Sequence, residues 1–260
     1  MSSLAIASPS PLPLLMPFDE DLASSTRAKR SKTRSRKWAG MPWPSSATAN
    51  TASPAYSQSV IVTVLPPCCA ALSDELTAVV TVTTDTKEVA NGITARVVRD
   101  TVFRGDSIIE DTFDWYAQDG QGAIWYLGED TAEFENGAIV STSGSFEAGV
   151  NGALPGIAIP ADPAPGMKYR QEYYQGEAED NGEILSIAEM VDVPLGHFDS
   201  VLLTKDTITI DPEVLEYKLY ARDVGPVLTL DVSGGAGRAE LVRMETVSDG
   251  SGTGPLGQPH

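Results

Sequence analysis

Asp-Thr-Phe-Asp-Trp-Tyr-Ala-Gln-Asp, residues 111–119, decides how this chain is read. Traced back to Ile108, the stretch alternates. Ile109, Phe113 and Trp115 fall on one face, and Glu110, Thr112, Asp114 and Tyr116 fall on the other. A period of two is the mark of a strand whose faces meet different environments, because successive side chains leave a pleated backbone on opposite sides. Aromatic and β-branched residues favour that geometry. Three more stretches share the same mix of aromatics, glycines and carboxylates: Trp-Tyr-Leu-Gly-Glu-Asp-Thr at 125–131, Phe-Glu-Ala-Gly at 146–149 and Tyr-Arg-Gln-Glu-Tyr-Tyr-Gln-Gly-Glu-Ala-Glu-Asp at 169–180.

Outward from this stretch, turn chemistry divides the chain into short strands. Strands are expected at 77–84, 94–102, 108–118, 123–128, 131–135, 138–147, 168–179, 183–193, 198–204, 214–221, 227–232 and 238–246. Asn136-Gly137 is the sharpest hairpin signal, since a type I′ turn needs positive φ at both central residues. Asp180-Asn181-Gly182 predicts a second hairpin. Residues 149–167, rich in proline and glycine, predict a long loop. No segment predicts a helix. Consecutive hairpin-linked strands imply an all-β fold, an antiparallel meander forming a barrel or half-barrel, with a β-sandwich as the alternative. The expected organisation is a disordered Ser/Pro/Ala-rich leader at 1–73, one β domain at 74–247 and a disordered tail at 248–260.

Charge narrows the function classes. The formal net charge is −18, and seven of the 18 basic residues fall between Arg27 and Lys37. The remainder of the chain is therefore more acidic still. Such a surface repels nucleic acid and anionic membrane, so the folded body is not expected to bind either. No apolar run is long enough for a transmembrane helix. Cys68 and Cys69 are neighbours and cannot staple distant strands. Ser59–Leu72 reads either as an atypical export signal, interrupted by Pro66 and Pro67, or as a buried strand.

The four aromatic-acidic stretches, with Ala-Leu-Pro-Gly at 153–156, resemble a family of uncharacterised bacterial proteins that are predicted to be secreted or lipoproteins and to be rich in β-structure. The resemblance covers about Thr84 to Val242. It implies an extracytoplasmic or cell-surface location and an all-β fold, and it brings no activity. Members usually open with a Pro-Gly and Trp-containing strand, which this chain replaces with the low-complexity leader. That difference leaves the first sheet edge open.

Two readings of function follow. In the first, Trp115, Trp125, Tyr126, Phe146 and Tyr173 line a concave face that binds an apolar small molecule, a lipid or a protein partner. In their ordinary role the same residues fill a core. In the second, paired carboxylates among Glu129, Asp130, Glu147, Glu172 and Glu177 act with aromatic platforms as a glycosidase-like hydrolase. Alternating Glu and aromatics are equally the normal pattern of a half-exposed sheet. Asp119–Gly122 and Glu177–Gly182 offer oxygen ligands at glycine turns, but neither has the spacing of a known calcium loop. His197 and His260 have no nucleophile motif beside them, and Gly234–Gly237 precedes no helix that could hold a phosphate. No catalytic residue, metal site or cofactor is assigned, and the oligomeric state is left open.

Overall fold

The computed structural model describes residues 57–65, 76–89, 92–233 and 237–258. The expected leader lies outside these residues apart from the segment that forms the first strand. Fourteen strands follow one another: β1 (Ser57–Leu65), β2 (Leu76–Val89), β3 (Ile93–Arg104), β4 (Ser107–Gln118), β5 (Ile124–Glu135), β6 (Ala138–Ser141), β7 (Phe146–Glu147), β8 (Gly156–Ile159), β9 (Lys168–Arg170), β10 (Asp180–Val193), β11 (Gly196–Ile208), β12 (Asp211–Ala221), β13 (Gly225–Asp231) and β14 (Arg238–Val247). Among the described residues, no helix is long and apolar enough to cross a membrane.

Every ladder is antiparallel. The sheet runs β6-β5-β4-β3-β2-β1-β14-β13-β12-β11-β10-β9, with β7 and β8 also paired to β5. Two meanders are thus joined through β1, which pairs with β2 on one side and β14 on the other. Of the stretch read as signal or strand, residues 59–65 lie in β1, and 66–72 fall outside the described residues. The strand β1 fills the place that the sequence left as an open edge.

The ladder does not close into a barrel, which fits a half-barrel or a two-sheet sandwich. Its two ends meet where the chain crosses over between β8 and β10. Leu154 N–H donates to the Tyr173 carbonyl at 2.8 Å, and these two residues form an isolated bridge. One hydrophobic cluster fills the interior and draws on both meanders, including Val80, Val98 and Tyr116 from one and Ile184, Val201 and Leu241 from the other. This is the expected outcome when a twisted sheet of this length buries one face against itself.

Local chemistry explains where the strand expectations hold and where they shift. Asn136 and Gly137 have φ of 52° and 77°, the type I′ pair, and they link β5 to β6. The segments expected at 123–128 and 131–135 are one strand, β5, with positive φ at Gly128 (124°) between them. A Cβ there would lie 2.2 Å from the Phe146 carbonyl oxygen, so glycine lets β7 approach. Within the expected loop 149–167, β8 forms against β5.

Asp180-Asn181-Gly182 is not a turn. It opens β10, and the reversal comes earlier, where Tyr174 N–H bonds the Ala178 carbonyl at 2.6 Å. Gly182 is extended, and its missing side chain makes room for the Tyr169 ring, 2.6 Å from where a Cβ would sit. Asn181 Nδ2 bonds Thr209 Oγ1 at 2.9 Å rather than capping a turn.

The tail also differs from expectation. Residues 248–258 pack on the outer face of β3 and β4, where Arg99 and Asp111 are fully buried. Arg99 Nε and Nη2 donate to the two Asp111 oxygens at 2.9 and 2.5 Å. Its remaining N–H groups reach the carbonyls of Gly252, Gly254, Pro255 and Gln258. A composition poor in apolar residues reads as disorder. Here the backbone itself is the binding element, supplying carbonyls to a guanidinium.

Candidate functional site

Strand register determines which side chains reach the interior. Across β2 to β5, one row of the inner face reads Val80, Asp100, Thr112, Thr131, and the next reads Val82, Val98, Asp114, Glu129. The face of β4 carrying Glu110, Thr112, Asp114 and Tyr116 therefore points inward, and all four are buried. Phe113 and Trp115 belong to a second, smaller cluster on the opposite face, with Val97, Leu127 and Ala148. Both faces of β4 are covered, and the carboxylates take the inner one. This corrects the expectation that alternating acids mark a solvated face.

The five aromatic candidates accordingly divide. Tyr126 and Phe146 lie in the interior cluster, their rings 5.9 Å apart edge to face. Trp115 and Trp125 lie in the outer cluster. Lys87 Nζ sits 4.4 Å from the Trp115 ring and 3.1 Å from Glu147, and Trp125 Nε1 donates to Asp119 at 2.9 Å. Tyr173 is half-buried at the seam between the sheet ends, stacked under Arg170 at 4.1 Å. A single apolar face shared by these five residues does not exist.

What the fold does assemble is polar. Tyr116, Tyr126, Tyr220 and Ala158 form the walls of a cavity completed by Gln171, Glu172, Asp180 and Lys218. Tyr116, Tyr126 and the 171–180 residues come from three of the four stretches that stood out in the sequence. The rings of Tyr116 and Tyr126 are 4.9 Å apart. Behind them, the Tyr126 hydroxyl touches Asp114 Oδ1 at 2.7 Å and Glu129 Oε2 at 3.0 Å. The space open to the centres of water-sized spheres is about 30 Å³. One water needs about 10–15 Å³ on that measure, so the cavity admits a group of two or three heavy atoms. Gln171 and Asp180 are only half-buried and mark where it reaches the surface.

The electrostatics follow from burial. Desolvation, then the Asp114 charge, pushes the phenols of Tyr116 and Tyr126 well above their ordinary value, so both stay neutral. Burial also pushes the Asp100 carboxyl well above 3.8, reinforced by Asp114 and Glu110. Burial alone would lower the Lys218 pKa, but Asp206 and then Glu216 outweigh it and hold the amine well above the ordinary lysine value. Those partners lie 3.0 and 3.2 Å from Nζ. Among the described residues, Lys218 is the only cation in the cavity wall, and it is thus already matched by two carboxylates.

Of the carboxylates considered for hydrolysis, Glu129 and Glu172 are buried at this site, while Asp130 and Glu177 are exposed and Glu147 pairs with Lys87. The reading from sequence missed Asp114, Asp100, Gln171, Lys218 and Tyr220. Asp114 was legible in principle, because the strand pairing that follows from consecutive hairpins sets it opposite Glu129. Lys218 and Tyr220 come from the other meander, and nothing local announces them.

The glycine turns considered for calcium are structural. Asp119 Oδ1 accepts the backbone N–H groups of Gln121 and Ala123, and Glu179 accepts that of Gly176. Among the described residues, no group of three His, Cys, Asp or Glu is placed to hold a metal ion. Fold and site together define an all-β antiparallel domain with a tyrosine-walled, carboxylate-backed cavity. No family model, curated protein or solved structure matches the chain.

Proposed function

We propose that this domain is a non-enzymatic binding protein whose ligand presents a small polar group to the tyrosine cavity. The observation that carries this reading is convergence. The paired neighbouring stretches at 111–119 and 125–131 and the distant one at 169–180 bring their side chains to one cavity that also recruits Lys218 and Tyr220. Its lining mixes tyrosine rings and Ala158 with hydroxyl, amide and charged groups, and its small volume suits the polar tip of a ligand rather than a lipid tail. Export or surface attachment belongs to the same proposal and rests on the resemblance of the motifs.

A second reading has one specific observation in its favour. Asp114 and Glu129 touch a common hydroxyl, which sets their oxygens no more than about 6 Å apart, close to the spacing of about 5–5.5 Å used by retaining glycosidases. Against it, both are buried behind Tyr126, and the cavity has no room for a sugar ring. Assaying the full chain against aryl glycosides and aryl esters separates the two. No turnover above the uncatalysed rate is expected. Turnover abolished by Asp114→Asn or Glu129→Gln would overturn the binding reading in favour of hydrolysis.

A further inference from the structure

Charge, ring chemistry and one unsatisfied acceptor identify the kind of group that fits. We infer that the cavity takes a positively charged N–H donor, an alkylammonium or guanidinium group, and this rests on the binding reading above. Glu172 and Asp180 stand in the wall, with Asp114 and Glu129 one hydroxyl further back. An anion entering here would meet carboxylates, because Lys218 is held between Asp206 and Glu216. Like-charge contact of this kind is a strong barrier to the wrong ligand.

Tyrosine rings suit the same group. A cation over an aromatic face is attracted by the ring quadrupole, more strongly when water is excluded. The Tyr126 hydroxyl is engaged by the Asp114 and Glu129 carboxylates, so towards the cavity this residue offers its ring.

The independent observation comes from Asp206. Its Oδ2 is engaged by Lys218 at 3.0 Å and by Gln171 Nε2 at 3.3 Å, and both of these residues line the cavity. Its other oxygen, Oδ1, is buried and has no hydrogen-bond partner among the described residues. Buried acceptors are almost always satisfied, so this one, directly behind the lining residues Lys218 and Gln171, adds an unneutralised oxygen to the negative charge around the cavity. The small volume restricts the entering group to the tip of a molecule, such as an amine or the end of a basic side chain. The negative interior favours a charged donor over a neutral one, and the Asp100 carboxyl, raised first by burial and then by Asp114 and Glu110, lies in the same field.

The test is calorimetric titration of the full-length protein at low ionic strength with n-butylammonium and N-methylguanidinium chloride, against butanol and sodium butyrate. At least one cation is expected to bind, with affinity falling about tenfold or more in Glu172→Gln and declining with added salt. Asp180→Asn, at the half-exposed rim, gives the same direction if the buried variant fails to fold. Butanol or butyrate binding as well as the cations, with that binding lost in Asp180→Asn or Glu172→Gln, would overturn the cation assignment and leave the cavity as the site. Cation binding unchanged in every folded variant, or no binding by any probe, would overturn both.

Discussion

Replacing Arg99 by methionine is expected to destabilise the domain by about 3–5 kcal/mol, the range for breaking a buried ion pair by removing one partner. Arg99 and Asp111 are fully buried. The guanidinium has five N–H donors, and all are directed at acceptors: Asp111 and four carbonyls between Gly252 and Gln258. Methionine fills much of the volume but leaves the Asp111 charge behind, held by Thr101 Oγ1 and Gly257 N–H at 2.8 and 2.7 Å. It also leaves the tail carbonyls without a donor. Denaturant unfolding measures the loss, and amide exchange shows whether 248–258 goes with it. A loss below about 1 kcal/mol, with tail protection retained, would mean that the tail is held by something other than Arg99.

The second large effect is expected at Gly156. An alanine Cβ there would lie 1.9 Å from the Gln171 carbonyl oxygen and 2.2 Å from its carbon. These are backbone atoms that no rotamer change can move, so β8 would have to separate from residues 171–172. Overpacking of this kind costs about 1–3 kcal/mol, and a backbone clash belongs at the upper end. Because Gln171 and Glu172 line the cavity, Gly156→Ala should weaken ligand binding along with stability. Gly152→Ala is the control, since it has positive φ (84°) but nothing within 4 Å. A Gly156→Ala loss no larger than that control's would show that the seam between the sheet ends is looser than described.

Much of the fold could be read from local chemistry. Asn136-Gly137 fixes a turn through its backbone conformation, and the alternation in 108–118 fixes a strand, so both appear in the structure, although the strand expected at 138–147 divides into β6 and β7. Which face of that strand points inward could not be read the same way. Periodicity separates the two faces, but burial of both removes the contrast that assigns them. Phe113 and Trp115 gain a cover from Ala148 and the Lys87 chain, while Asp114 and Tyr116 turn to the interior.

Glycine misled for a related reason. At 182 it marks contact with the Tyr169 ring rather than a turn, and only tertiary structure shows which. The candidate site was half legible. Tyr126, Glu129 and Glu172 were in view, but the meander that supplies Lys218, Tyr220 and Asp206 is joined to them only through the pairing of β1 with β14.

The inward-facing acidic rows of β3, β4 and β5 underlie everything said about the site, and Asp100 reports on them directly. Its carboxyl has a folded-state pKa raised well above 3.8, by burial first and the neighbouring acids second. The folded chain therefore keeps a proton that the unfolded chain releases, and this group's contribution to stability falls as pH rises from about 4 towards the folded value. Asparagine has nearly the same shape and no proton to lose. Unfolding free energies of the wild type and Asp100→Asn, measured side by side from pH 4 to pH 8, remove the contributions of groups not coupled to Asp100. The expected result is a difference that grows with pH in favour of the variant, by up to about 1.4 kcal/mol per unit. A difference that is flat with pH, or that shifts towards the wild type, would mean that this face is solvated and the interior is not acidic.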